Sequence, residues 1–200
     1  SYLENDAISD LHLNIDELYK DTDGVLILSG SINGFFGKLF YKGKFDEINE
    51  IYKKILSKFG DKFYLEIQRH GDLNEVSFEK YNLKKSHELK IPIIATQEVF
   101  YLNKEMYEAH DALICIGSKT YVNEKQRLKY TNQHYFKSNE EMSKLFVDLP
   151  EALENNYNLP FRCSFKPNFS EPVLPNISSD KGGNADEILN KDSTDGLRNK

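Results

Sequence analysis

The sequence predicts an α/β fold on parallel strands, and three observations carry that reading. Short apolar or alternating runs recur at Val25-Leu26-Ile27-Leu28, at 63–67 and at 91–95. Segments with helical spacing separate these runs, and strands joined by helical crossovers pair in parallel with right-handed connections. Hydrophobic residues make up 39% of the 200 residues, enough for a core and for one domain or two small ones.

The first strand, Val25 to Leu28, is continuously apolar and ends at Ser29-Gly30, which predicts burial on both faces. A helix is expected over 45–59, where Ile48, Ile51, Tyr52, Ile55, Leu56 and Phe59 share a face and Gly60 stops it. Phe63, Leu65 and Ile67 then alternate with Tyr64, Glu66 and Gln68, a strand pattern. A polar helix over 74–89 is expected to turn Val76, Leu83 and Leu89 inward. The third strand is 91–95, with Pro92 tolerable near its start. The predicted core sheet therefore holds Leu26, Leu28, Leu65, Ile67, Ile93 and Ala95, covered by Ile48, Ile51, Ile55 and Phe59.

The next helix, 104–116, spaces Met106, Ala109, Leu113 and Ile116 for burial. Residues 118–133 are polar and read as a long excursion with a short helix at 124–128. Ser138 with Glu141 forms a capping box for a helix carrying Met142, Leu145 and Phe146. Asp148 and Pro150 open another, with Leu153, Tyr157 and Phe161 as its expected inner side. Prolines 167, 172 and 175 and a Ser/Gly-rich stretch make 166–184 a linker, before a last amphipathic piece at 185–197. Three units are too few to close a barrel, so the chain reads as truncated at both ends.

Composition limits function. The net charge of −6 gives no global basic footprint for nucleic acid. The longest apolar runs are too short to span a bilayer, and the opening Ser1-Tyr2-Leu3-Glu4-Asn5-Asp6 lacks the basic start and apolar stretch of a signal peptide. Cys115 and Cys163 have no metal-type spacing, so a reduced cytoplasmic setting is expected.

The chemistry-bearing residues are sparse. Histidines 12, 70, 87, 110 and 134 include no H-x-H or H-E-x-x-H pair. His70 and Glu98 both follow strands, at the carboxyl ends where α/β sites gather. The plainer reading makes His70 a hydrogen-bonding partner of a nearby loop and Glu98 a helix cap or salt-bridge member. His110-Asp111 reads as a half-buried polar pair bonded to a loop. Gly30, Gly34 and Gly37 have helix-breaking spacing but no phosphate-loop signature, and no nucleophile elbow occurs.

An ordered set of strings adds a resemblance. Gly24-Val25-Leu26-Ile27-Leu28-Ser29-Gly30, Tyr64-Leu65-Glu66-Ile67-Gln68-Arg69-His70-Gly71 and Ile91-Pro92-Ile93-Ile94-Ala95-Thr96 lead it. Ala109-His110-Asp111-Ala112-Leu113-Ile114-Cys115-Ile116, Tyr135-Phe136-Lys137-Ser138 and Leu145-Phe146-Val147-Asp148-Leu149-Pro150-Glu151-Ala152-Leu153 follow. Together they resemble the amino-terminal PHP (polymerase and histidinol phosphatase) region of bacterial replicative DNA polymerase III alpha subunits, over nearly the whole chain. The resemblance implies a partial PHP-type (βα) barrel over 1–165, then a linker and the start of a polymerase core over 166–200. It implies that the family's opening histidine motif precedes Ser1, and that the palm carboxylates, which hold magnesium for the parent polymerase, follow Lys200.

Metal-binding members of the family carry Cys, Asp and His ligands at positions that here correspond to Ser31, Glu98 and Phe100. Serine is a poor transition-metal ligand and phenylalanine is none, so no metal, cofactor or catalytic residue is expected in this stretch. The implied role is a non-catalytic module that supports the rest of the alpha subunit and docks the proofreading epsilon subunit, meeting DNA through the holoenzyme and no membrane. The alternative is an active metal-dependent PHP phosphoesterase or 3′–5′ exonuclease. A third option is an unrelated α/β domain.

Overall fold

A computed structural model describes residues 14–20, 22–169 and 184–199. The chain divides into two units, Ser1–Ser164 and Phe165–Lys200. In the first, three parallel strands lie in the order β1 (Ile27–Leu28), β2 (Phe63–Ile67), β3 (Ile93–Ala95). Ile27 faces Phe63 across the first pairing, and Leu65 and Ile67 face Ile93 and Ala95 across the second. This is a small mixed helix and sheet architecture; the described strands do not form a barrel.

Strand β2 is central, with Phe63, Leu65 and Ile67 fully buried. Strand β1 is an edge. Val25 and Leu28 lie exposed and only Ile27 packs against the core, so the expectation that this apolar run is buried on both faces fails. A continuous apolar run demands a neighbour on each side, and among the described residues β1 pairs with β2 alone.

Helix α1 (Ile15–Leu18) precedes β1, and between β1 and β2 stand α2 (Phe35–Tyr41) and α3 (Phe45–Phe59). Helix α3 follows its predicted pattern, with Ile48, Tyr52, Ile55 and Phe59 buried and Gly60 at its C-cap with φ 56°. Helix α2 was not expected, because its glycines read as breakers. Gly37 is instead the contact point: a Cβ there would sit 1.8 Å from the carbonyl oxygen of Ile32. Only glycine lets the helix lie on that backbone.

Helix α4 (Leu73–Leu89) leads to β3, and its buried residues are Glu75, Phe78 and Asn82. Val76 is exposed, while Leu83 and Leu89 are partly buried against the core. The face turns because its polar members find partners. Tyr52 donates its hydroxyl to Asn82 at 3.0 Å, and Glu75 meets His70.

After β3, α5 (Tyr107–Ser118) buries Asp111 and Cys115 and exposes Met106, Ala109, Leu113 and Ile116, the reverse of the predicted face. Residues 119–133 contain no helix, so the short helix expected at 124–128 is absent. Arg127 organises this segment, gripping both carboxylate oxygens of Asp111 at 2.6 Å and the carbonyls of Val122 and Leu128.

Helix α6 (Asn139–Leu145) has the Ser138–Glu141 capping box and carries the chain to the fully buried Phe146. Helix α7 (Pro150–Asn158) buries Ala152 and partly Leu153, while Tyr157 and Phe161 are exposed. The expected inner side fails past Leu153 because α7 covers the free edge of β3. Asn155 donates to the Ile93 carbonyl at 2.7 Å and Asn156 to that of Ala95.

In the second unit, residues 165–169 are exposed and without regular structure, and α8 spans Ala185–Arg198 behind an Asn184 cap. Most of the linker expected at 166–184 lies outside the described residues.

Candidate functional site

The three strands end side by side, and their carboxyl ends are laced by polar side chains. Ser29 Oγ accepts the Glu66 N–H at 2.9 Å. The Glu66 carboxylate accepts the Gly30 N–H at 2.5 Å and the Thr96 hydroxyl at 2.7 Å. Gln68 donates to Thr96 Oγ1 at 2.9 Å. One carboxylate on β2 thus holds the ends of β1 and β3 in place.

Above this lacing opens a cleft of about 480 Å³. Its floor is His70, buried with both ring nitrogens engaged. Nδ1 lies 2.8 Å from Glu75 Oε1, and Nε2 accepts the Glu98 N–H at 3.1 Å. Accepting a backbone N–H requires the Nε2 lone pair, so Nδ1 carries the proton and donates to Glu75. Glu75 also accepts the His70 N–H at 2.7 Å, which occupies its second oxygen.

His134 lies flat on His70, with ring centroids 4.1 Å apart and planes 10° from parallel. Its Nδ1 lies 3.1 Å from the Thr131 carbonyl, and its Nε2 is 3.8 Å from a Glu98 oxygen. Burial, and secondarily the His70 ring, push the His134 pKa below its ordinary value. The segment carrying His134 is pinned beside β3's exit: Phe100 donates its N–H to the His134 carbonyl and Phe136 donates to that of Tyr101. Thr131 donates its hydroxyl to the His70 carbonyl at 2.5 Å. Phe100 continues the aromatic column, 5.4 Å from His134 and 5.4 Å from His110.

Of the positions singled out in the sequence, Ser31, His70 and Glu98 line this cleft, and Phe100 lies behind it against His134. Ser31 Oγ accepts the Asn33 N–H at 3.3 Å within its own turn. Phe100 is a stacking residue, and Glu98 extends beside His134. His110 joins the aromatic column, and Asp111 belongs to Arg127. His12 lies outside the described residues. Sequence reasoning missed Glu75, Thr131 and His134, which are brought in by a helix start and by a loop with no periodic signature. The string Gln133-His134-Tyr135-Phe136 abutted a motif already noted but carried no ligand spacing of its own.

A PHP-type metal centre needs at least three convergent donors. Both His70 nitrogens are committed, Ser31 faces its own turn and Phe100 offers no lone pair. Glu98, His134 and the Asp72 carboxylate remain at the cleft, but among the described residues no group of three His, Cys, Asp or Glu is arranged to hold a metal. The described donor set does not fit the metal that the family implies.

Comparison with known proteins bears on the same strand ends. A PHP domain model matches residues 1–70, ending on His70. Proteins named DNA polymerase III subunit alpha align along nearly the whole sequence. The Caulobacter vibrioides protein is 33% identical over 198 residues, covering 99% of this chain and 17% of its own length. That of Rickettsia prowazekii is 35% identical over 197 residues (98% and 17%), and that of Borreliella burgdorferi 40% over 165 residues (80% and 14%). Over nearly its whole length this chain is similar to one stretch of DNA polymerase III alpha subunits. It spans about one sixth of the length of the alpha subunits it matches. The match to the alpha subunit runs past the PHP model to cover β3 and the loop bearing His134. No helix among the described residues is long and apolar enough to cross a membrane.

Proposed function

We propose that this chain is the later part of the PHP region of a replicative DNA polymerase III alpha subunit, with 166–200 leading towards the polymerase core. Its role there is non-catalytic: it supports the rest of the subunit and docks the proofreading epsilon subunit. Primer extension in the cytoplasm, with magnesium held by palm carboxylates, belongs to the larger polypeptide, and contact with DNA comes through the assembled holoenzyme.

The observation that supports this reading is the fate of the three expected ligand positions. Phe100 is stacked on His134, Ser31 is bonded into its own turn, and only Glu98 retains donor chemistry. Hydrolysis of a phosphodiester by this family would need metals to generate hydroxide and to neutralise the phosphate. Nor can His70 act alone as a general base, because its unprotonated nitrogen is already hydrogen-bonded to the Glu98 backbone.

Zinc and manganese analysis of the full-length alpha subunit, with a single-stranded DNA degradation assay, tests the proposal. The expected result is no zinc or manganese equivalent assigned to this region and no degradation. Metal-stimulated degradation that disappears in Glu98→Ala would overturn it. Docking is tested by the affinity of the proofreading subunit for the full-length protein.

A further inference from the structure

Helix α5 is turned inside out. Met106, at the end of the 3-10 turn that leads into α5, and Ala109, Leu113 and Ile116 on the helix follow one another at steps of three, four and three, the spacing of a helix-packing seam. Yet Met106 is 43%, Leu113 64% and Ile116 75% exposed, and no described residue covers them. The face that is buried carries Asp111, in the paired grip of Arg127, together with Cys115. Surface helices of water-soluble units are patterned the other way.

We propose that the outward face of α5 is a docking seam for a helix of the alpha-subunit polypeptide beyond the region aligned here. This rests on the reading of the chain as part of an alpha subunit. Two observations select that occupant. The relatives carry about five sixths of their length outside the matched region, since the match covers 17% of them. A segment tethered on the same polypeptide has a high effective concentration, so a seam of four side chains suffices where a free partner would need a larger patch. The second is charge. Glu105 and Glu108 are exposed and each precedes a seam residue by one position, so they flank the same side of the stripe. The docking helix carries apolar residues at matching spacing, with Lys or Arg opposite these two glutamates. The face is preformed, because the Arg127–Asp111 pair fixes α5 from behind and the Lys119 N–H closes its last turn on the Cys115 and Ile116 carbonyls.

The test uses full-length alpha subunit carrying Leu113→Cys or Ile116→Cys, labelled with a small maleimide and read by peptide mass spectrometry. The introduced thiols are expected to react at least about tenfold more slowly in the native subunit than in the same protein unfolded in guanidinium. The slowing should be independent of protein concentration. Native rates matching the unfolded rates would overturn the proposal. So would protection that grows with concentration, which means a second copy, or protection that needs added proofreading subunit. In a second measurement, Leu113→Glu with Ile116→Glu should lower the melting temperature of the full-length subunit, and an unchanged value would count against the seam. Zinc and manganese content and degradation assays on the same preparations report on the non-catalytic reading separately.

Discussion

Arg69 closes more bonds than any other side chain described here. It donates to both oxygens of Glu79, to both of Asp148 and to the Leu145 carbonyl, with its guanidinium 4.8 Å above the Phe146 ring. Replacing it by methionine keeps the stem and removes every donor, so Arg69→Met should cost roughly 1.5–3 kcal/mol in denaturant titration. The Asp148 carboxyl beside it, and Asp111 beside Arg127, are held below the usual carboxylate range by these hydrogen bonds. A depressed carboxyl stabilises the fold above its unfolded pKa, near 3.8, and that contribution is lost as pH falls through the lower folded value. His134 acts in a higher window. Its folded pKa lies below 6.5, so the unfolded chain takes up the proton first and stability falls as pH drops from about 6.5 through the folded value. The melting temperature should decrease from pH 7.5 to pH 5, and His134→Gln should flatten that slope. Gly37 is the other single-residue dependence: Gly37→Ala drives a methyl into the Ile32 carbonyl and should cost about 3 kcal/mol or more, or prevent folding.

Among the elements, α7 does what a further strand would do elsewhere. A free sheet edge invites pairing with another chain, and the Asn155 and Asn156 amides take two of the carbonyls that β3 presents outward. Asn155→Leu should cost about 1–3 kcal/mol, with increased light scattering at partial denaturation as the edge is uncovered. This function was not legible in the sequence, where α7 was read by its apolar members alone. The same blind spot governs α4 and α5. Hydrophobic spacing locates a helix well, and α3 and α6 followed it. It misassigns the inner face when buried polar residues such as Asn82, Glu75 and Asp111 are paid for by partners distant in sequence. Helix α2 was missed because spacing cannot distinguish a glycine that breaks a helix from one that admits a carbonyl.

At the scale of the molecule, parallel pairing was legible because β2 and β3 are buried on both faces and punctuated by helices. Leu65→Ala, at the centre of that sheet, should therefore cost roughly 2–5 kcal/mol. The cleft was legible only in outline. Strand ends marked His70 and Glu98, whereas His134 and Glu75 join them through folding and leave no local signature. The pairing between α7 and β3 also has a timing. The asparagine amides lie 62 and 61 residues after the carbonyls they meet. At a ribosomal pace of about 5–20 residues per second, the third strand is made roughly 3–12 s before its cover emerges. During that interval a nascent chain holds an uncovered strand edge, and chaperone occupancy over those seconds is where a defective α7 would first be felt.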